Sequence, residues 1–172
     1  MCRKQRFGDV ASLCAQKSKV NFRHGAVITK NSKVIVKGFN DGSRTKILDQ
    51  IHPCVHAEIN ALHKLIQILK KKHLHLSRKD FLKLLRKILK KYIIWVVRIS
   101  GNKDLQELNY SNSIPCCECI KVLKHYGMTK VGFSNQQGTI VIKKIDDIED
   151  THITSSNESY NKYMKYLKNM NV

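Results

Sequence analysis

The sequence predicts an α/β fold of three layers, α/β/α, on a five-stranded mixed sheet. Three observations predict it. Tyr92 to Ile99 is nearly continuous in apolar, β-branched and aromatic residues, as in a strand buried on both faces of a parallel sheet. Ala61, Leu62, Leu65, Ile66 and Leu69 recur at three- and four-residue steps, which is the apolar stripe of a helix. Helical and strand-like segments follow one another as α-β-β-α-(α)-β-α-β-β-α, an order that covers one sheet with helices on both faces.

Each element has its own signal. Asp9 to Lys19 reads as a short helix with Val10, Leu13 and Cys14 on one side. Gly25 to Thr29 and Lys33 to Gly38 read as a hairpin turned by Asn31-Ser32. Phe39 to Pro53 is a polar loop, and a helix containing His56 should start soon after the proline. Tyr92 to Ile99 is the central strand. Cys116 to Tyr126 reads as a helix capped by Gly127. Lys130 to Ser134 and Thr139 to Ile142 are two more strands. Only Asn135-Gln136-Gln137-Gly138 separates them, so they should form an antiparallel hairpin. Asn157 to Met170 should be a terminal helix. The 172 residues suit one domain, 1–172, with no internal repeat.

The composition, 42% hydrophobic and 26% charged, is that of a globular chain. Lys and Arg number 32 against 13 acidic residues, a formal charge of +19. That balance favours anionic partners such as nucleic acid, nucleotides or a membrane surface, and is equally the mark of a lysine-rich composition. The segment Lys64 to Lys91 holds eleven Lys or Arg and one Asp, hence 11 − 1 = +10. Within it Phe81, Leu84, Leu85, Ile88 and Leu89 share one helical face, and Lys79, Lys83, Arg86, Lys87 and Lys90 the other. It is either a core-packed helix with a solvated outer face or a phosphate- or membrane-binding face. The start, Met1 to Phe7, lacks an apolar signal core, and the longest wholly apolar run, Ile93 to Val97, is too short to cross a bilayer. The expectation is an intracellular protein, cytoplasmic or nuclear, in which clustered cysteines among the six point to metal or catalysis rather than to disulfides.

Two fragments carry the chemistry: His56-Ala57-Glu58 and Pro115-Cys116-Cys117-Glu118-Cys119. They supply three zinc ligands, His56, Cys116 and Cys119, with a carboxylate beside them. Cys116 and Cys119 are three residues apart and share a helical face. At a helix N-terminus their thiolates, the form that binds zinc, are stabilised. Pro115 suits the helix entry. Cys117 lies about 100° round the helix from Cys116 and is the weaker candidate. A regular helix would point His56 and Glu58 about 200° apart, so His56 must lie in the first turn, where both can lean towards a site in front of the helix. A zinc with three protein ligands keeps a position open for water, as in catalytic sites. Glu58 would then move protons as general base and acid. Backbone N–H groups at the helix mouth, Ala57 among them, would hydrogen-bond the reacting oxygen. A closed zinc knuckle is the competing reading; it needs a fourth ligand from His52, Cys54, Cys117 or His125.

With these motifs the chain resembles the cytidine and deoxycytidylate deaminase superfamily, the zinc-dependent nucleobase deaminases. The resemblance runs from the strand Gly25-Ala26-Val27-Ile28 to about Ile142 and includes Gly38-Phe39-Asn40. It implies the five-stranded mixed sheet between helices, zinc on His56, Cys116 and Cys119, Glu58 as proton shuttle, and Asn40 touching the substrate's sugar. It also implies a partner that is a nucleoside or nucleotide, and a possible homo-oligomer. Two features depart from the pattern. Deoxycytidylate and transfer-RNA adenosine deaminases usually place a helix between the last two strands, where this chain has four residues. Free cytidine deaminases have the hairpin but carry Asn-x-Glu where this chain reads Asn40-Asp41-Gly42. The basic helical segment at about 70–91 looks like an insertion. Some deoxycytidylate deaminases hold a second zinc near the position of His52 and Cys54, which are otherwise loop residues.

Three functions follow as expectations. The first is hydrolytic deamination of a nucleobase, most simply cytosine in a nucleoside or in a nucleotide such as deoxycytidylate. The second is deamination within RNA or single-stranded DNA, served by the basic stretch. The third is a catalytically dead zinc-binding module, which has no need of Glu58.

Overall fold

The computed structural model describes residues 2–43, 45–47, 50–52, 54–100 and 109–149. Helix α1 (Arg3–Ala15) is followed by β1 (Arg23–Lys30) and β2 (Lys33–Phe39). The short strands β3 (Thr45–Ile47) and β4 (Gln50–His52) come next, then α2 (Ala57–Lys72) and α3 (Arg78–Ile88). The chain continues through β5 (Tyr92–Ser100), β6 (Asn109–Ser111), α4 (Cys117–His125), β7 (Lys130–Ser134) and β8 (Ile140–Lys144). The expected terminal helix over 157–170 lies outside the described residues, as does the side chain of His52.

The main sheet has the order β2-β1-β5-β7-β8. Among the described strands only β5 and β7 pair in parallel, so the sheet is mixed as expected. The central strand β5 is antiparallel to β1 on its other side. The last two strands are an antiparallel hairpin, with Ser134 opposite Ile140 and Lys130 opposite Lys144. The short connection 135–139 allows this because Gly138 adopts φ +74° and Asn135 Oδ1 accepts the N–H groups of Gln137 and Thr139. The sequence reading did not foresee β6, which joins β5 at Arg98 to Ser100, past Val96, where the β7 pairing ends. It did not foresee the hairpin of β3 and β4 either. These strands have three residues each, too few to show a periodicity.

Helix α1 starts at Arg3, not near Asp9. Asp9 resembles an N-cap in sequence, but its carboxylate accepts from Gln5 Nε2 at 2.9 Å and Tyr110 OH at 2.7 Å inside the helix. Leu13, grouped in sequence with Val10 and Cys14 on one side, is exposed; Phe7, Ala11 and Cys14 are the inward residues. They pack with Val27, Trp95, Val97 and Ile99 on one face of the sheet. The other face carries the larger core, in which Ala26, Ile28, Ile94 and Val96 meet Leu62, Leu65 and Leu69 of α2, Leu85 of α3 and Leu123 of α4.

Both functional helices open at the same end of the sheet, where β5 and β7 finish. Just after β2, Asp41 pairs with Val55 through N···O contacts of 2.9 and 2.8 Å, which delivers the chain to the start of α2. Ser113 donates to Val96 O at 2.8 Å and shares a 2.8 Å hydroxyl contact with Ser134, which fixes the approach to α4. Gly38 lets α2 lie directly on β2: an added Cβ would meet Ala61 N at 2.6 Å and Ala57 O at 2.8 Å. Gly38→Ala should therefore displace the first turns of α2 and cost about 1–3 kcal/mol, read as a lower urea midpoint at unchanged slope. It should also weaken zinc retention, because His56 moves with that turn.

Candidate metal centre

His56 does not lie within the first turn of α2; it is the N-cap, with an extended backbone at φ −72° and ψ 149°. This removes the angular conflict with Glu58. The helical 100° step starts only at Ala57, so His56 and Glu58 are not bound to opposite sides of a cylinder. Cys116 is likewise the N-cap of α4, at φ −67° and ψ 163°, and Cys119 closes the first turn. Gly127, at φ +90°, ends α4, with its N–H donating to Lys124 O at 2.9 Å.

The two helix mouths bring three donors together. His56 Nδ1 lies 3.3 Å from Cys119 Sγ and 3.5 Å from Cys116 Sγ. All three ligand atoms lie within 4.8 Å of one another, and this is the one His/Cys/Asp/Glu cluster of that kind among the described residues. Two thiols and an imidazole suit zinc, which favours tetrahedral sulfur and nitrogen coordination. The other cysteines do not complete the set. Cys117 is half-buried, and its sulfur faces Glu118 Oε1 at 3.8 Å. His125 lies exposed at the far end of α4. Cys54, two residues before His56, is half-buried and hydrogen-bonds the His56 ring, outside the three-ligand group.

The electrostatics suit a metal. Hydrogen bonding from Cys119 outweighs burial at Cys116 and, with the His56 charge, lowers its thiol to about 4. Cys119, hydrogen-bonded to that thiolate and buried, is raised well above the ordinary thiol. Burial pushes His56 down, but the hydrogen bonds of Cys116 and Cys54 and the charge of Glu58 hold it up at about 11. The metal-free cluster is thus a thiolate on Cys116 facing protonated His56 and Cys119. Both protons must leave for three ligands to bind, so zinc affinity should rise with pH and fall on acidification. Calorimetric titrations in buffers of differing ionisation enthalpy should show protons released on zinc uptake.

Glu58 is 5% exposed in the first turn of α2. Burial raises its carboxyl above the ordinary value, opposed by the His56 charge. Asn40 lies just past β2 and spends much of its amide on the backbone. Its Oδ1 accepts from His24 N at 2.8 Å, and its Nδ2 donates to Phe22 O at 2.7 Å. It therefore pins the start of β1 beside the mouth of α2. Ala57, fully buried, is the first residue of α2.

Two residues at this end were not singled out from sequence. His24 alternates with Ala26 and Ile28, so it faces the α2 side of the sheet, and Arg98, its partner across β1 and β5, faces the same way. Burial lowers His24 to about 4, so it is neutral at pH 7. Its Nδ1, 3.0 Å from Phe22 O, carries the proton, which leaves Nε2 an acceptor. The Arg98 guanidinium stands 4.5 Å over the Phe22 ring. The signal available in sequence was the strand alternation, which places both on the face of the metal cluster.

The family described as the cytidine and deoxycytidylate deaminase zinc-binding region matches residues 1–135. The chain belongs to that family. His56, Cys116 and Cys119 are placed where they could hold the zinc ion of that family. A cytidine deaminase from Burkholderia pseudomallei shares the fold, with a TM-score of 0.53 at 20% identity over 86% of this chain and 98% of that one. A dCMP deaminase from the cyanophage S-TIM5, solved with dCMP and dUMP, has a TM-score of 0.46 at 22% identity, over 77% of this chain and 81% of that one. A cytidine deaminase from Mycobacterium leprae has a TM-score of 0.46 at 14% identity, over 84% of this chain and 95% of that one. No curated protein matches the chain by sequence. Among the described residues no helix is long and apolar enough to cross a membrane.

Proposed function

We propose that this protein is a zinc-dependent hydrolytic deaminase of cytosine in a nucleoside or nucleotide, such as deoxycytidylate, working inside the cell as one domain over 1–172. The observation that carries the proposal is the buried carboxyl of Glu58 beside a cluster of three candidate metal ligands, with no fourth in that cluster among the described residues. A structural zinc is closed by four protein ligands; a catalytic one keeps a position open.

Zinc, when bound, supplies a water acidic enough to act as hydroxide near neutral pH. Glu58 does the rest of the proton work. Its carboxylate takes the water proton, delivers it to the ring nitrogen beside the amino-bearing carbon, and carries the second proton to the departing amine. The new carbonyl oxygen comes from water, and the amino group leaves as ammonia. Burial raises the Glu58 carboxyl above the ordinary value, which strengthens its hold on the proton it carries. Ala57 N–H, one of the first-turn donors without an acceptor inside the helix, is available to the substrate. The remaining lone pair and N–H of Asn40 are available to the sugar.

Asn40→Ala should raise KM about tenfold with a smaller effect on kcat, since it removes ground-state contacts and the pin on β1. The test of the function is ammonia release by the zinc-loaded protein from cytidine, deoxycytidine, their monophosphates, cytosine, guanine, adenosine-containing RNA and single-stranded DNA. Turnover of a cytosine nucleoside or nucleotide is expected. Release from none of them overturns the reading in favour of a zinc-binding module without activity.

A further inference from the structure

We propose that the end of the sheet opposite the metal centre is a docking surface for the phosphate backbone of nucleic acid, separate from the deamination reaction. The topology collects lysines there from elements far apart in sequence. Tyr92 begins β5 at this end, preceded by Lys90 and Lys91. Lys30, the last residue of β1, lies opposite Tyr92 and stands 5.4 Å over its ring. Lys33 opens β2 beside Lys30, and Lys130 opens β7 opposite Lys144, the last residue of β8. Lys30, Lys33, Lys90, Lys91, Lys130 and Lys144 are all exposed. None of them makes a salt bridge among the described residues, whereas Lys83, Lys121 and Lys124 do. Among the described residues, carboxylates placed near this end include Asp146, taken by Lys124 at 2.9 Å, Asp80 on α3, paired with Lys83 at 3.7 Å, and Asp147, which sits among Lys130, Lys143 and Lys144. The surface keeps a large positive excess, the footprint that a polyphosphate chain recognises.

The basic helix α3 belongs to the same end. Arg86 Nε donates to His125 O at 3.0 Å, at the C-terminal end of α4, and Thr129 Oγ1 contacts Lys90 O at 3.5 Å. Its apolar face is already spent: Leu85 and Leu89 are 1% and 0% exposed, and Phe81 and Ile88 pack on the same core. A helix that binds a bilayer needs that face for the lipid, so only its charges remain to make an interaction. Isolated Ile68 and Leu74 are the large apolar side chains exposed on this part of the chain.

Distance separates this surface from the reaction. Helix α2, capped by His56, runs 16 residues from Ala57 to Lys72, which at 1.5 Å per residue carries the chain about 24 Å from the metal cluster. A strand docked on the lysines is therefore held far from Glu58. The charge tethers the protein to nucleic acid rather than feeding a polynucleotide into the site.

The test uses the full zinc-loaded chain, with a fluorescein-labelled DNA duplex and a labelled single-stranded RNA as probes. Fluorescence anisotropy should show binding that weakens steeply between about 50 and 200 mM salt. Replacing Lys33, Lys90, Lys91, Lys130 and Lys144 together by Gln should weaken binding at least about tenfold and flatten the salt slope. The same five changed to Arg should keep both. In the unaltered protein, bound duplex should protect these lysines from acetylation, read by mass spectrometry without any variant. Deamination of a mononucleotide should be unchanged in the Gln variant. Absence of binding, equal binding by the Gln variant, protection elsewhere, or preference for anionic lipid vesicles would each overturn the proposal. So would loss of mononucleotide turnover in a folded Gln variant, which would tie the lysines to the reaction. The binding measurements need no turnover, so their failure is distinct from failure of the deaminase reading.

Discussion

Glu58→Gln is expected to lower turnover by a factor of about 10²–10⁴ while zinc remains bound. The change keeps the shape of the side chain and removes its ability to take and return a proton. The three ligands are untouched, so zinc content measured by atomic absorption should stay at one per chain. The buried position makes the effect large, because water has little access to substitute for a carboxyl that is 5% exposed. Removing an acid raised by burial should not destabilise the fold; the melting temperature should hold or rise. The sign follows from the direction of the shift. A carboxyl raised in the folded state opposes folding above its unfolded value, and that penalty disappears on amidation. Persistent turnover in Glu58→Gln would mean another group moves the proton.

Cys119→Ala is expected to abolish stable zinc binding, and activity with it. Cys119 is 1% exposed and contributes one of only two sulfurs in the cluster, so no neighbour replaces it without rebuilding the first turn of α4. The loss should also appear in stability. A metal that binds only the folded state stabilises it by about 4 kcal/mol at a thousandfold excess over Kd, and this term vanishes with the ligand. Differential scanning calorimetry should show zinc raising the melting temperature of the unaltered chain and leaving that of Cys119→Ala in place. Cys117→Ala is the control: its sulfur faces Glu118, so zinc content and melting temperature should both persist.

Much of the site was legible in sequence because metal coordination fixes residue types and spacing together. Cys116 and Cys119 had to share a face, and the structure places them at the cap and in the first turn of α4. His56 and Glu58 demanded a helix mouth; the demand was sound, and the N-cap position answers it more simply than a first-turn position would. The antiparallel end of the sheet was legible because four residues with a glycine leave little else. What was not legible depends on tertiary partners. The helix expected from Asp9 starts at Arg3, and Asp9 lies inside it with Tyr110, a hundred residues on, as its partner. Leu13 is apolar and exposed, so periodicity alone misplaced the inner side of α1. His24 and Arg98 are polar residues at the ends of apolar strands, and only the pairing of β1 with β5 puts them together near the cluster. The basic helix was read correctly as two-faced, but its place at the far end of the sheet follows from topology that no local pattern contains.

Zinc-edge X-ray absorption on the metal-loaded protein tests the open three-ligand centre most directly. Two sulfurs at about 2.3 Å, one imidazole nitrogen and one further light ligand from solvent are expected, each near 2.0–2.1 Å. A shell of three sulfurs, with Cys54 or Cys117 recruited, or one of two sulfurs and two imidazoles, would mean a closed structural site and would contradict the account.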